Sequence, residues 1–192
     1  MQLCFATNNP HKLNELKNLV GSSILLQSLK DIGCSADIPE TGDNLKANSL
    51  EKAEYIKNHF KVNCFADDTG LEVDALGGAP GVYSARYAGE PANSLLNMKL
   101  LLKNLDGIKE RTARFRTVIA LLLEDNAPVY FEGSVEGVVS LTENGSEGFG
   151  YDPIFIPNGF GCTFAEMEQS EKSRISHRGK AVAKLVNYLN NL

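Results

Sequence analysis

The sequence predicts an α/β fold with a mixed, twisted sheet, folded into two lobes around a cleft. Three observations lead there. Short apolar runs of strand length alternate with segments whose leucines recur at helical spacing. Two longer strand-like stretches, 113–124 and 129–139, are joined by the turn Asp125-Asn126-Ala127-Pro128, which adds a hairpin to an otherwise βα-like order. The chain has 192 residues, 43% of them apolar and 22% charged, and lacks any repeat, linker or low-complexity tract, so residues 1–192 are expected to form one domain. A chain of this size buries roughly 70% of its unfolded surface without external staples.

The elements follow in order. Leu3 to Ala6 is a strand. Asn9 suits a helix N-cap and Pro10 the first helical position, with Leu13, Leu16, Leu19 and Val20 on the apolar face behind them. Ile24 to Gln27 is a second strand. After the loop from Ala36 to Gly42, Asp43 is expected to cap a helix running to about Phe60, with Leu45, Ala53, Ile56 and Phe60 inward. Val62 to Ala66 reads as a buried strand delivering Asp67-Asp68-Thr69-Gly70 at its carboxyl end, the place where ligands bind in open α/β sheets. A glycine-rich loop, 77–81, leads to Ser84-Ala85-Arg86, and a helix is expected over Asn93 to Leu105. Beyond the hairpin come a polar turn at 142–147, the segment Gly148 to Pro153, a short strand from Ile154 to Ile156, and a capping box at Thr163 to Glu166 that opens a short helix. A last helix from about Ser176 buries Val182, Leu185, Val186 and Leu189.

Composition narrows the function classes. A net charge of −5 argues against a broad nucleic-acid face, which needs clustered surplus cations, but leaves room for one polyanionic small molecule in a local cationic site. Cys4, Cys34, Cys64 and Cys162 are widely spaced and form no C-x-x-C pair, so they read as reduced thiols of a reducing compartment. The N-terminus lacks a basic leader, and the longest apolar run, Val118 to Leu123, is far below membrane-spanning length. A cytoplasmic protein without membrane association is expected.

Four segments carry the chemistry. Thr7-Asn8-Asn9-Pro10-His11-Lys12 puts a hydroxyl, amides and a cation at a helix N-terminus, which favours an anion, although a plain capped helix with a solvated lysine has the same composition. Asp67 and Asp68, with Glu40 from a separate loop, supply the one or two carboxylates that Mg²⁺ takes from protein, and a carboxylate there can also accept a proton from attacking water. Adjacent strand residues project to opposite sides, so only one aspartate is expected to face the cleft, and the residue types do not say which. Lys172, Arg174, His177 and Arg178 concentrate charge at the mouth of the last helix, against its dipole, as a bound anion or a polar base edge would permit. Phe149 and Tyr151, between Gly148 and Gly150, offer aromatic faces for a nucleobase, or simply for the core.

Five segments together, Ala6 to Lys12, Ala66 to Leu71, Gly77 to Arg86, Phe149 to Phe155 and Ser176 to Gly179, resemble the inosine/xanthosine triphosphate pyrophosphatase family, in the family's order and over nearly the whole chain. The resemblance implies an elongated fold around a central cleft, a homodimer, a divalent metal, and cleavage of non-standard purine nucleoside triphosphates (ITP, dITP, XTP) between the α- and β-phosphates. It implies Asp68 as proton acceptor and metal ligand, with Glu40 a second ligand. Lys12 acts with Asp68, and Thr7, Asn8, Asn9, Pro10, His11 and Lys12 cradle phosphate together with Thr69 and Lys172. Phe149, Gly150, Tyr151 and Asp152 hold base and sugar, while His177 and Arg178 read the base edge. Asn8 stands where the family often has glycine, and Thr69 where it often has serine; asparagine tolerates left-handed backbone and threonine keeps the hydroxyl. The competing readings are a pyrophosphatase for modified pyrimidine or methylated nucleotides, a phosphatase releasing orthophosphate, and a nucleotide-binding module without catalysis.

Overall fold

The computed structural model describes residues 1–20, 24–124 and 126–192. Among these the strands are β1 (Gln2–Phe5), β2 (Leu25–Gln27), β3 (Cys64–Val73), β4 (Thr112–Leu122), β5 (Val129–Val139) and β6 (Phe155–Pro157). They form one sheet in the order β2-β1-β3-β4-β5-β6. β1 pairs in parallel with β2 and β3, while β5 and β6 are antiparallel, so the sheet is mixed as expected. The helices are α1 (Pro10–Leu19), α2 (Leu45–Phe60), α3 (Ser94–Asn104), α4 (Gln169–Ile175) and α5 (His177–Leu189). β4 and β5 are sheet neighbours, and Asp125 of the expected hairpin turn lies outside the described residues.

The chain divides into two compact units, the first made of Met1–Asp68, Thr117–Gly133 and Arg178–Leu192, the second of Thr69–Arg116 and Ser134–His177. In the first unit one core gathers Leu3, Phe5 and Phe65 with Ile119, Leu121 and the α5 residues Val182 and Leu185. Full burial of such an aliphatic side chain contributes about 1.5–3 kcal/mol. Phe5 and Phe65, directly paired across β1 and β3, stack at 4.8 Å. A second core joins Ala53 and Ile56 of α2 to Cys4, Cys64 and Ala66.

In the second unit α3 packs Met98, Leu101 and Leu105 on Leu71, Val73, Phe115 and Val139. Arg111 is buried there and donates to the carbonyls of Leu105 (2.8 Å), Val139 (2.8 Å) and Ser140 (2.7 Å), which ties the end of α3 to the end of β5. The segment 81–86 is a short 3-10 helix. The Ser84 hydroxyl accepts from Leu71 N, the Ser84 carbonyl accepts from the Tyr151 hydroxyl and the Asn97 amide, and Asn97 Oδ1 accepts from Ala88 N. The Gly77–Arg86 motif is thereby stitched to β3 and to residue 151.

Four boundaries differ from the sequence expectation. The N-cap of α2 is Asn44, whose Oδ1 accepts from Ala47 N at 2.8 Å, not Asp43. β3 runs on to Val73, so Asp67 and Asp68 sit in mid-strand and not at its carboxyl end; the buried run that begins at Cys64 continues past them through Gly70, Leu71 and Val73. β6 begins at Phe155, because Pro153 favours the 3-10 turn 152–154. The capping box at Thr163 opens a single 3-10 turn, and a separate helix, α4, carries Lys172 before the chain turns at Ser176.

Candidate active site

In the first unit, α1 starts as the sequence dictates. Asn9 Oδ1 accepts from His11 N (2.9 Å) and Lys12 N (3.3 Å), Pro10 fills the first position, and Thr7 Oγ1 accepts from Asn9 N. Asn8 donates to Ala36 O at 3.4 Å, and the His11 side chain is exposed. The cap sets the register of the first turn, from which Lys12 reaches Asp67 Oδ1 at 2.9 Å. One turn on, Glu15 accepts from Arg178 Nη1 at 2.6 Å, and Arg178 Nε lies 3.3 Å from Asp67 Oδ2. Asp67 is thus held on both oxygens by cations, and it is 2% exposed while Arg178 is 3% exposed.

Asp68 has different neighbours. Asn48 donates to its Oδ2 at 3.0 Å, and Lys52 Nζ lies 3.5 Å from its Oδ1. Lys52 also donates to Glu40, so one ammonium gathers the Glu40 and Asp68 carboxylates. Burial disfavours the charged form of both aspartates, with opposite net results. At Asp67 burial is outweighed by Lys12, Arg178 and Lys52, and the carboxyl is held well below its usual range. At Asp68 burial, reinforced by the Glu40 charge, prevails over Lys52, Lys12 and the Asn48 hydrogen bond, and the carboxyl is pushed up. Burial lowers Lys12 despite Asp67, whereas for Lys52 the carboxylates of Asp68, Glu40 and Asp67 overcome burial and raise it. Neighbouring carboxyls pushed apart in this way suit different duties, one as a fixed anion and the other as a proton acceptor.

Glu40 and Asp68 are carboxylates that could hold a divalent metal. They are hard oxygen donors that already share one cationic partner, and a pair is what Mg²⁺ takes from protein when water and phosphate fill its other positions. Among the described residues no group of three or more histidine, cysteine or acidic side chains forms a metal cage, and a carboxylate pair does not require one.

In the second unit, Lys172 and Asp152 form a buried pair at 2.8 Å. Asp152 Oδ2 also accepts from Phe149 N at 2.7 Å, and Lys172 Nζ lies 5.3 Å from the Phe149 ring centroid and 5.9 Å from that of Phe164. Gly148 has φ +78°, and a Cβ there would strike the Asp152 carboxylate, so both the turn and the close approach require glycine. The half-buried Phe149 ring is placed by this hub. Gly150 has φ +65°. Tyr151 instead enters the core, with its hydroxyl spent on Ser84 O and its phenol pushed up by burial. His177 stacks on Phe115 at 4.6 Å, and Thr69 is half-buried on β3.

The structure thus gathers Lys12, Glu40, Asp67, Asp68 and Arg178 in the first unit, and Phe149, Asp152 and Lys172 in the second. Three participants escaped the sequence reading: Asn48, Lys52 and Glu15. The first two occupy the inward face of α2 with Leu45, Ala53 and Ile56, and that polar break in an apolar stripe was the available signal.

The fold and these centres define an α/β protein with a buried acid–base and cation centre suited to phosphate chemistry. The sequence profile of the Ham1 family matches residues 3–188, and the chain belongs to that family. It is 56% identical over 189 residues to the dITP/XTP pyrophosphatase of Christiangramia forsetii, covering 98% of this chain and 99% of the relative. With the dITP/XTP pyrophosphatase of Porphyromonas gingivalis the identity is 52%, over 98% and 97% of the two chains. A solved HAM1 protein from Coxiella burnetii superposes with a TM-score of 0.92 at 35% identity, covering 100% of both chains.

Proposed function

We propose that this chain hydrolyses non-standard purine nucleoside triphosphates, those of inosine, deoxyinosine and xanthosine, to the monophosphate and pyrophosphate, clearing deaminated purines from the nucleotide pool. Membership of the Ham1 family and the names of relatives more than 50% identical support this reading. The observation that carries it to mechanism is the opposed setting of the adjacent carboxyls, Asp67 fixed as an anion and Asp68 raised toward a useful base.

Water attacks the α-phosphorus and gives its proton to Asp68. The bond from that phosphorus to the α–β bridging oxygen breaks, and its electron pair leaves with pyrophosphate. Lys12, placed by the Asn9 cap and by Asp67, offsets the charge that develops on the phosphate oxygens, with the residues Thr7 to His11 around them. Asp68 and Glu40 would hold Mg²⁺, which would supply further charge neutralisation at the phosphate oxygens. Thr69 and Lys172 add phosphate contacts, and Phe149, Gly150 and Asp152 hold base and sugar. His177 and Arg178 read the base edge; donors aimed at a 6-oxo group are left unpaired by adenine, which a hydrogen-bonding site rejects by as much as about 10⁴-fold.

Residues 1–192 act as one catalytic domain, and the active form is a homodimer. Cytosolic residence is supported by the free cysteines, and no helix among the described residues is long and apolar enough to cross a membrane. The test is incubation with inosine triphosphate or ATP, with Mg²⁺ or EDTA, measuring pyrophosphate and orthophosphate separately. Pyrophosphate released fast from the inosine nucleotide, only with metal, is expected. Orthophosphate release, equal rates on ATP, or binding without turnover would overturn the reading.

A further inference from the structure

Asn48 lies on α2 and is fully buried, yet its amide is polar at both ends. Nδ2 donates to Asp68 Oδ2 at 3.0 Å, and Oδ1 accepts from Gly42 N at 2.7 Å. Gly42 belongs to the segment that carries Glu40, and three consecutive residues of that segment are fastened to α2. Glu40 meets Lys52, Thr41 donates through its N and Oγ1 to Glu51 at 2.7 and 2.8 Å, and Gly42 meets Asn48. The approach is close enough that a Cβ on Gly42 would come within 2.7 Å of Ala47 Cβ and 2.8 Å of Asn48 Oδ1. Asn48 therefore grips the Glu40 segment with one end of its amide and the Asp68 carboxylate with the other. Both ends are fixed: the acceptor end must face a backbone N–H and the donor end a carboxylate, so neither a rotated amide nor a hydrocarbon of the same shape serves.

We propose that Asn48 is a positioning residue for hydrolysis, setting the Glu40 and Asp68 carboxylates in the mutual register that a divalent cation and the attacking water require. The inference rests on the proposed pyrophosphatase function for its turnover readout alone. Outer partners of ligating carboxylates typically control metal affinity or activity by about 10–100-fold.

The experiment compares the parent with Asn48→Leu, which removes both polar ends at similar volume, and with Asn48→Ser, which relieves Leu if crowding prevents folding. Three quantities are measured: kcat and KM for inosine triphosphate at saturating Mg²⁺, Mn²⁺ affinity without nucleotide by electron paramagnetic resonance, and the thermal midpoint. The expected result is a fall of about 10–100-fold in kcat or in Mn²⁺ affinity in a protein that still unfolds cooperatively, with KM changed by less than about threefold. Unchanged kcat and Mn²⁺ affinity overturn the proposal, as does lost activity that merely tracks the fraction of folded protein. Should the parent fail to release pyrophosphate, the functional reading falls and the Mn²⁺ comparison alone decides: weakened binding upholds the role of Asn48, whereas equal binding, or none to the parent, ends it.

Discussion

Two lysine–aspartate pairs, Lys12–Asp67 in the first unit, where only the carboxylate is fully buried, and the buried Lys172–Asp152 in the second, have nearly equal separations of 2.9 and 2.8 Å and very different company. Lys12–Asp67 sits among further ions, with Arg178 on the same carboxylate and Lys52, Asp68 and Glu40 nearby. Lys172–Asp152 sits beside the rings of Phe149 and Phe164, and its carboxylate also holds a backbone N–H. One contact thus does two jobs. Among ions it fixes a charge and shifts its neighbours; among rings it fixes the pose of an aromatic face.

The contrast can be broken by substitution, beginning with the aspartate next to the first pair. Asp68→Asn should lower kcat by about 10²–10⁴-fold in a protein that remains folded, read from the rate of pyrophosphate release; a fully active variant would remove Asp68 from catalysis. Asp67→Asn should act on stability, costing about 3–5 kcal/mol in urea unfolding, because Lys12 and Arg178 would be left buried beside a neutral amide. In the second unit Phe149→Ala should raise KM for inosine triphosphate by roughly 10–100-fold with little loss of stability, since stacking is worth about 1–3 kcal/mol per base.

Titration sharpens the comparison inside the first unit. In metal-free protein, carboxyl ¹³C shifts should show Asp68 protonating above the ordinary value of 3.8 and Asp67 below it. The signs for stability follow. Asp67, lowered on folding, adds stability that is fully present above 3.8 and lost only as pH falls through its lower folded value. Asp68, raised on folding, works the other way: its cost is absent below 3.8, grows as pH rises toward its folded value, and is constant above it. Reversal of the two titrations would exchange their proposed duties. The smallest effect concerns the thiols. Cys4 and Cys64 are buried in the first unit and pushed up to about 12 by that burial, so an aromatic disulfide reagent at neutral pH should label half-buried Cys162 of the second unit first and those two only after unfolding.

Much of this was legible in the chain, for local reasons. The Asn9-Pro10 start of α1 is a contact among residues two and three apart, and the capping box at Thr163 is equally short-range. The central strands β1 and β3 were legible because their apolar runs fit a sheet buried on both faces, as at Cys64 to Ala66, and β5 because its buried and exposed residues alternate. Phe149 was found through its glycine-rich surroundings, and Asp152 through the family resemblance alone. Asn48 and Lys52 left a polar break in the apolar stripe of α2, but neither that break nor anything near Glu15 names a partner so far along the sequence, so the three were not found.

The sequence by itself determined the alternation of strands and helices, the Asn9 cap and the Thr163 capping box, the mixed sheet and the segments that carry chemistry. The tertiary structure alone decided what each charge became. Asp67 and Asp68 are neighbours of identical chemistry, yet successive strand residues face opposite sides, so one meets Lys12 and Arg178 while the other meets Asn48 and Lys52. Their different fates come from partners brought in from distant parts of the chain, and in a poorly solvated interior those partners, more than the residue type, set the charge a carboxyl carries.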